Sequence, residues 1–137
     1  MGVLSARLEE FLDSQIVGVI ATDAGDTPLQ SVVYYVREGE RLMVSSTTAR
    51  RKVKDVERTG WASLCVMGFE RPFPSATFSG PATILTTDIG RPTAAITQRF
   101  MGGDELPEIQ TDEALAGVGR VIIAITVERV AAASWLD

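Results

Sequence analysis

The chain has 137 residues, 45% of them apolar and 23% charged, with a formal net charge of −5 and no histidine. That length suits one domain, residues 1–137, with a core large enough to need no disulfide or metal staple. The lack of histidine and the single cysteine exclude a Ser-His-Asp triad and the common zinc sites; no metal is expected. Cys65 sits in an apolar run, Ala62-Ser63-Leu64-Cys65-Val66, and reads as a packed thiol. The nearest candidate for a membrane span, Val118 to Val127, is broken by Gly119 and Arg120 and has about half of the roughly 20 residues required. No signal peptide opens the chain, so a cytoplasmic location is expected.

The elements follow from periodicity. Leu4, Leu8, Phe11 and Leu12 share one face of a first helix that ends near Ser14. Ile16 to Thr22, Pro28 to Val36 and Arg41 to Ser45 read as three strands joined by the turns Asp23-Ala24-Gly25-Asp26 and Glu38-Gly39-Glu40. A basic helix follows, with Ala49, Val53 and Val56 on its inner side and Thr59-Gly60 as its stop. Trp61 to Met67 is a fourth strand, in which Trp61 reads as core. Ala76 to Leu85 is a fifth strand, interrupted at Gly80-Pro81. Thr87 or Asp88 caps a helix with Pro92 in its first turns, running to about Phe100. Residues 104–113 hold five acids, no base and one proline, an exposed connector by composition. The last strand, Arg120 to Val130, is apolar on both faces in its first half and so is covered on both sides. Six antiparallel strands with about three helices make an α+β protein, and closing the sheet removes its edges.

Charge is concentrated. Thr48 to Thr59 carries five basic and two acidic residues, +3 against −8 for the remainder. One compact cationic element on an acidic protein suits a small anionic ligand better than a nucleic acid, which calls for a broad basic face. In Ser45-Ser46-Thr47-Thr48-Ala49-Arg50-Arg51-Lys52, hydroxyls pass directly into the basic helix where a strand hands over to it. Side-chain donors, guanidinium and ammonium groups and the helix N-terminus then converge, as a phosphate requires. The alternative is a solvated basic helix face.

The order of these motifs resembles the split β-barrel flavin-binding group related to pyridoxamine 5′-phosphate oxidase. The resemblance spans nearly the whole chain: Gly18 to Thr22, Pro28 opening the second strand, Val44 to Thr48 followed by Arg51-Lys52-Val53, Phe78 to Ala82, and Arg120 to Val130. It implies an antiparallel six-stranded split β-barrel with flanking helices. It also implies a homodimer with the cofactor at the subunit interface, and a cofactor phosphate held by Thr47, Arg51 and Lys52, with Ser46, Thr48 and Arg50 as neighbours. Ser31 and Val33 on the second strand are expected beside the ring system. Vitamin B6 oxidation is not expected, because the C-terminal Trp and Arg segment of the true oxidases has no counterpart before Asp137. The cations beyond the Arg-Lys pair, Lys54 and Arg58 among them, resemble the branch that uses the deazaflavin F-420, whose phosphodiester and polyglutamate tail they would bind. FMN is the alternative cofactor, and a non-catalytic flavin or deazaflavin carrier the alternative role. Hydride transfer between F-420 and a small unsaturated substrate is the expected chemistry; no catalytic side chain is legible. Trp135 is expected to pin the tail.

Overall fold

The computed structural model describes residues 2–132 and Leu136. Its elements are α1 (Ala6–Ser14), β1 (Val17–Asp23), β2 (Pro28–Glu38), β3 (Arg41–Thr47), α2 (Arg51–Thr59), β4 (Trp61–Met67), β5 (Ser75–Leu85), α3 (Gly90–Met101), α4 (Asp112–Gly117), β6 (Arg120–Thr126) and β7 (Arg129–Ala132). The hydrogen-bonded order is β4-β1-β2-β3-β6-β5, closed by β4 pairing with β5, all antiparallel. The fold is therefore α+β, a closed six-stranded barrel with a seventh short strand.

Alternation decides what fills the barrel. Ile20, Val33, Tyr35, Val44, Leu64, Phe78, Ile123 and Ile125 point inward and are buried. One end is plugged by Leu8, Phe11 and Leu12 of α1, the other by Val53 and Val56 of α2, all in the same apolar cluster. A second cluster lies outside the wall, where α3 and α4 set Ile96 and Leu115 against Met43, Ile122 and Ala124. This is the covering that a β6 apolar on both faces demands. Gly60 ends α2 in the left-handed conformation at φ 68°, its N–H bonded to the Val56 carbonyl at 2.7 Å.

Several elements depart from the expectations. The last strand breaks after Thr126: β6 pairs with Ala82–Leu85 of β5, while β7 pairs with Ala76–Ser79 of the same strand. The crossing is tight, since a Cβ built on Gly80 falls 1.9 Å from the Thr126 carbonyl oxygen. β5 is thus continuous through Gly80-Pro81 rather than interrupted. Neither Thr87 nor Asp88 caps α3; the N-cap is Ile89, and Asp112 accepts the backbone N–H groups of Asp88 (2.9 Å) and Ile89 (3.3 Å) from across the connector. The end of the acidic segment forms α4, capped by Thr111. Cys65 and Trp61 are not core: Cys65 is exposed on the outer face and Trp61 is 43% exposed. Period-two alternation puts both on the wrong side of β4 for burial, opposite Leu64 and Val66. Ala49 precedes α2 and is exposed. Trp135 lies outside the described residues.

Candidate functional site

Strands β2 and β3 do not stay together. They pair only from Tyr35↔Val44 to Glu38↔Arg41; beyond that β2 follows β1, while Ser45 to Thr47 follow β6. The split leaves a cavity of about 300 Å³ between Ser31–Tyr34 on one side and Ser45–Thr47 on the other, with Arg50, Lys52 and Arg120 at its margin. Backbone direction alternates along a strand. Tyr35 N–H bonds to Ile16 and Thr48 N–H to Gly119, so the peptide groups of Val32, Tyr34 and Ser45 face the gap. A ligand in the split therefore meets unpaired strand edges as well as hydroxyls.

Of the expected residues, Ser31, Ser46, Thr47, Arg50 and Lys52 line this cavity. Thr48 and Arg51 do not. Thr48 is exposed and spends its N–H on the Gly119 carbonyl at 2.9 Å. Arg51 turns away, its Nε donating to Asp55 Oδ1 at 3.1 Å and its guanidinium to the Ala24 carbonyl at 2.7 Å. Asp55 is wholly buried and also accepts from Thr22 Oγ1 at 3.0 Å and from Arg58 at 3.2 Å; Arg58 in turn reaches the Asp23 carbonyl. Burial pushes the Asp55 carboxyl up, but hydrogen bonds from Arg51, Thr22 and Arg58 outweigh it and hold the group below its ordinary range. The basic helix thus has two uses. Arg51, Asp55 and Arg58, at i, i+4 and i+7, lock α2 to the β1–β2 turn, while Arg50 and Lys52 reach the split.

The electrostatics of the split favour an anion. Arg50, Lys52 and Arg120 make no ion pair among the described residues, although Arg37, Arg51 and Arg58 do. Partial burial, and then the neighbouring Arg50 charge, lower the Lys52 ammonium below its usual value. An anion between them would offset both effects by favouring the charged ammonium. No side chain caps the N-terminus of α2. Three cations, the hydroxyls of Ser46 and Thr47 and an open helix start fit the phosphate of a nucleotide-like coenzyme. Arg120 was not among the expected residues. It occupies the β6 position opposite Thr47, a pairing across 73 positions of sequence that no local motif announces.

A closed barrel split between its second and third strands, with an anion site at the handover to a basic helix, defines the flavin- and deazaflavin-binding split barrels. The family model described as pyridoxamine 5′-phosphate oxidase matches residues 4–133, and the chain belongs to that family. No curated protein sequence matches the chain. Among solved structures, an F420 reductase is similar at 24% identity and TM-score 0.72, over 90% of this chain and 94% of that one. A conserved hypothetical protein from Mycobacterium tuberculosis is 21% identical, with TM-score 0.75, over 95% and 84%. The FAD and heme binding protein from Mycobacterium smegmatis is 20% identical, with TM-score 0.76, over 96% and 71%. At these identities the likeness is one of fold.

Proposed function

We propose that the protein is an oxidoreductase that binds the deazaflavin F-420 in the β2/β3 split and works on a small unsaturated or planar substrate. The observation that carries this reading is the convergence of Arg50, Lys52 and Arg120, without acidic partners among the described residues, on a gap lined by Ser46 and Thr47. Lys52 and Arg50 take the phosphate, Thr47 and Ser46 donate to its oxygens, and the peptide edges of Val32 and Tyr34 align the ring system. Arg51, expected as a direct contact, and Thr48, expected as a neighbour, are assigned support: Arg51 holds α2 in place and Thr48 fastens the end of β3 to Gly119. Bound coenzyme supplies the hydride chemistry; the chain supplies position and electrostatics. The deazaflavin is preferred to FMN because exposed Lys54 on the same helix is available to an anionic tail.

A cavity of about 300 Å³ holds only the phosphate end of such a coenzyme, so the ring lies out over β2, where Val32 is 68% exposed. That face continues through directly opposed Val19, Cys65 and Thr77, none of which belongs to either apolar cluster. A second copy of the chain is the cover we assign to it, placing the coenzyme at a dimer interface.

Titration of the purified protein with F-420, followed by the coenzyme's fluorescence, tests the reading, with FMN titrated in parallel. Micromolar or tighter F-420 binding is expected, weakened about tenfold or more by Lys52→Ala and by about 1–3 kcal/mol for each charge-assisted bond lost, and little changed by Arg7→Ala, which removes an exposed cation on α1. Affinity is expected to fall on the alkaline side as Lys52 deprotonates, at a lower pH than for an ordinary lysine; Lys52→Arg removes that limb. Binding of neither coenzyme overturns the proposal, and tight FMN binding with no F-420 binding replaces the coenzyme.

A further inference from the structure

A second cavity, of about 420 Å³, adjoins the split and shares Tyr34, Ser45 and Arg120 with it. It lies on the outer face of β2, β3 and β6, beneath α3 and α4. Its wall is mixed: Ile96, Leu115 and Val118 and a stacked pair of rings, Tyr34 and Phe100, whose centroids are 4.5 Å apart at 22°, supply the apolar part, and Thr97, Gln110 and Arg120 are among the polar residues. Thr93 Oγ1 is buried there without a hydrogen-bond partner. Among the described residues Arg120 is the one cation in the lining, and it donates there only to the neutral Ser45 hydroxyl, at 3.3 Å.

A chamber of this volume, with an aromatic pair on its wall and one charged residue in its lining, suits a ligand that carries a flat ring and an anionic group. We infer that this cavity is the substrate subsite, and that it takes an aromatic or conjugated carboxylate whose ring packs on the Tyr34–Phe100 pair and whose carboxylate is held by Arg120. The inference rests on the reading of the split as the coenzyme site, since it makes Arg120 the cation common to coenzyme and substrate. Tyr34 and Ser45, which line both cavities, mark where the two ligands meet. The guanidinium suits this double task because its donors form a fork that serves two anions from different edges.

The probe is 2-naphthoate, with neutral 2-naphthamide as its isostere, titrated calorimetrically into the protein with and without saturating F-420. Naphthoate is expected to bind both forms, at least tenfold more tightly than the amide. Arg120→Gln should remove that preference while leaving amide binding within about twofold. Thr97→Phe, which fills the cavity from α3, and Val118→Trp, which closes it from its exposed rim, should each abolish binding of both probes; an unchanged thermal melt certifies the fold, and the rim variant serves if the α3 variant does not fold. Equal affinity for the two probes, binding untouched by both plugs, or displacement of naphthoate by F-420 overturns the inference. Loss of coenzyme binding with the naphthoate results intact would instead overturn the proposed coenzyme, so the two readings fail separately.

Discussion

At residue scale, Asp55 shows how a charge inside a basic helix is used. Three donors, Thr22, Arg51 and Arg58, converge on its buried carboxylate, and the two arginines remain about half exposed. Its carboxyl titrates lower in the fold than in the unfolded chain. Its stabilisation is therefore complete above the ordinary carboxylate range near pH 4 and is lost as pH falls through the depressed folded value. Asp55→Asn should cost about 1–3 kcal/mol at neutral pH, mainly through weakened charge-assisted bonds, and should flatten the acid limb of stability. Urea midpoints measured at pH 7 and pH 3 check this: the variant's deficit should shrink at the lower pH. The same network explains why Arg51, beside Lys52 in sequence, leaves the split. One helical step of 100° separates a residue facing the β1–β2 turn from one facing the cavity.

At the scale of elements, the crossing of β6 into β7 over β5 depends on a missing side chain. The neighbours of a Cβ at Gly80 would be the Thr126 carbonyl and, at 3.1 Å, the Glu128 nitrogen, both backbone. Neither can swing aside, and Glu128 N–H is itself bonded to the Ser79 carbonyl at 2.9 Å. Gly80→Ala should cost about 3 kcal/mol or more. Gly60→Ala meets no atom within 4 Å and bears only the left-handed backbone penalty, about 1–2 kcal/mol. Thermal melts of the two variants side by side test the distinction; equal losses would mean that the crossing is not the constraint. The split itself is also a property of elements. β2 has 11 residues, and only the last four, Tyr35 to Glu38, pair with β3; before them β2 diverges with β1, while the end of β3 stays with β6.

At the scale of the molecule, the barrel is plugged at both ends and backed by α3 and α4 on β3 and β6, while the outer face of β1, β2 and β4 is exposed, with Val17, Val32 and Met67 on it. A dimer through this face is expected to sediment as about twice the 14.7 kDa chain mass. Val32→Arg, which puts a charge at the centre of the face without touching the core, should convert it to a monomer and weaken coenzyme binding in parallel. A wild-type protein that sediments as a monomer at micromolar concentration would remove the interface from the coenzyme site.

The sequence alone determined the strand set, the basic helix and the hydroxyl-to-cation handover, because these rest on local periodicity, turn chemistry and charge. They were enough to place Ser46, Thr47, Arg50 and Lys52 in one region and to bring Ser31 within reach through the family resemblance. Tertiary structure decided which members of that region face the split. Whether Arg51 reaches the split or Asp55 depends on how α2 is docked, and Arg120 joins the site only through the β3–β6 register. Trp61, Cys65 and the final strand were misjudged for related reasons: apolar composition does not say which face of β4 is inward, and a bend between β6 and β7 is imposed by β5 crossing beneath it. Local chemistry proposes the groups available to a site; long-range pairing chooses among them.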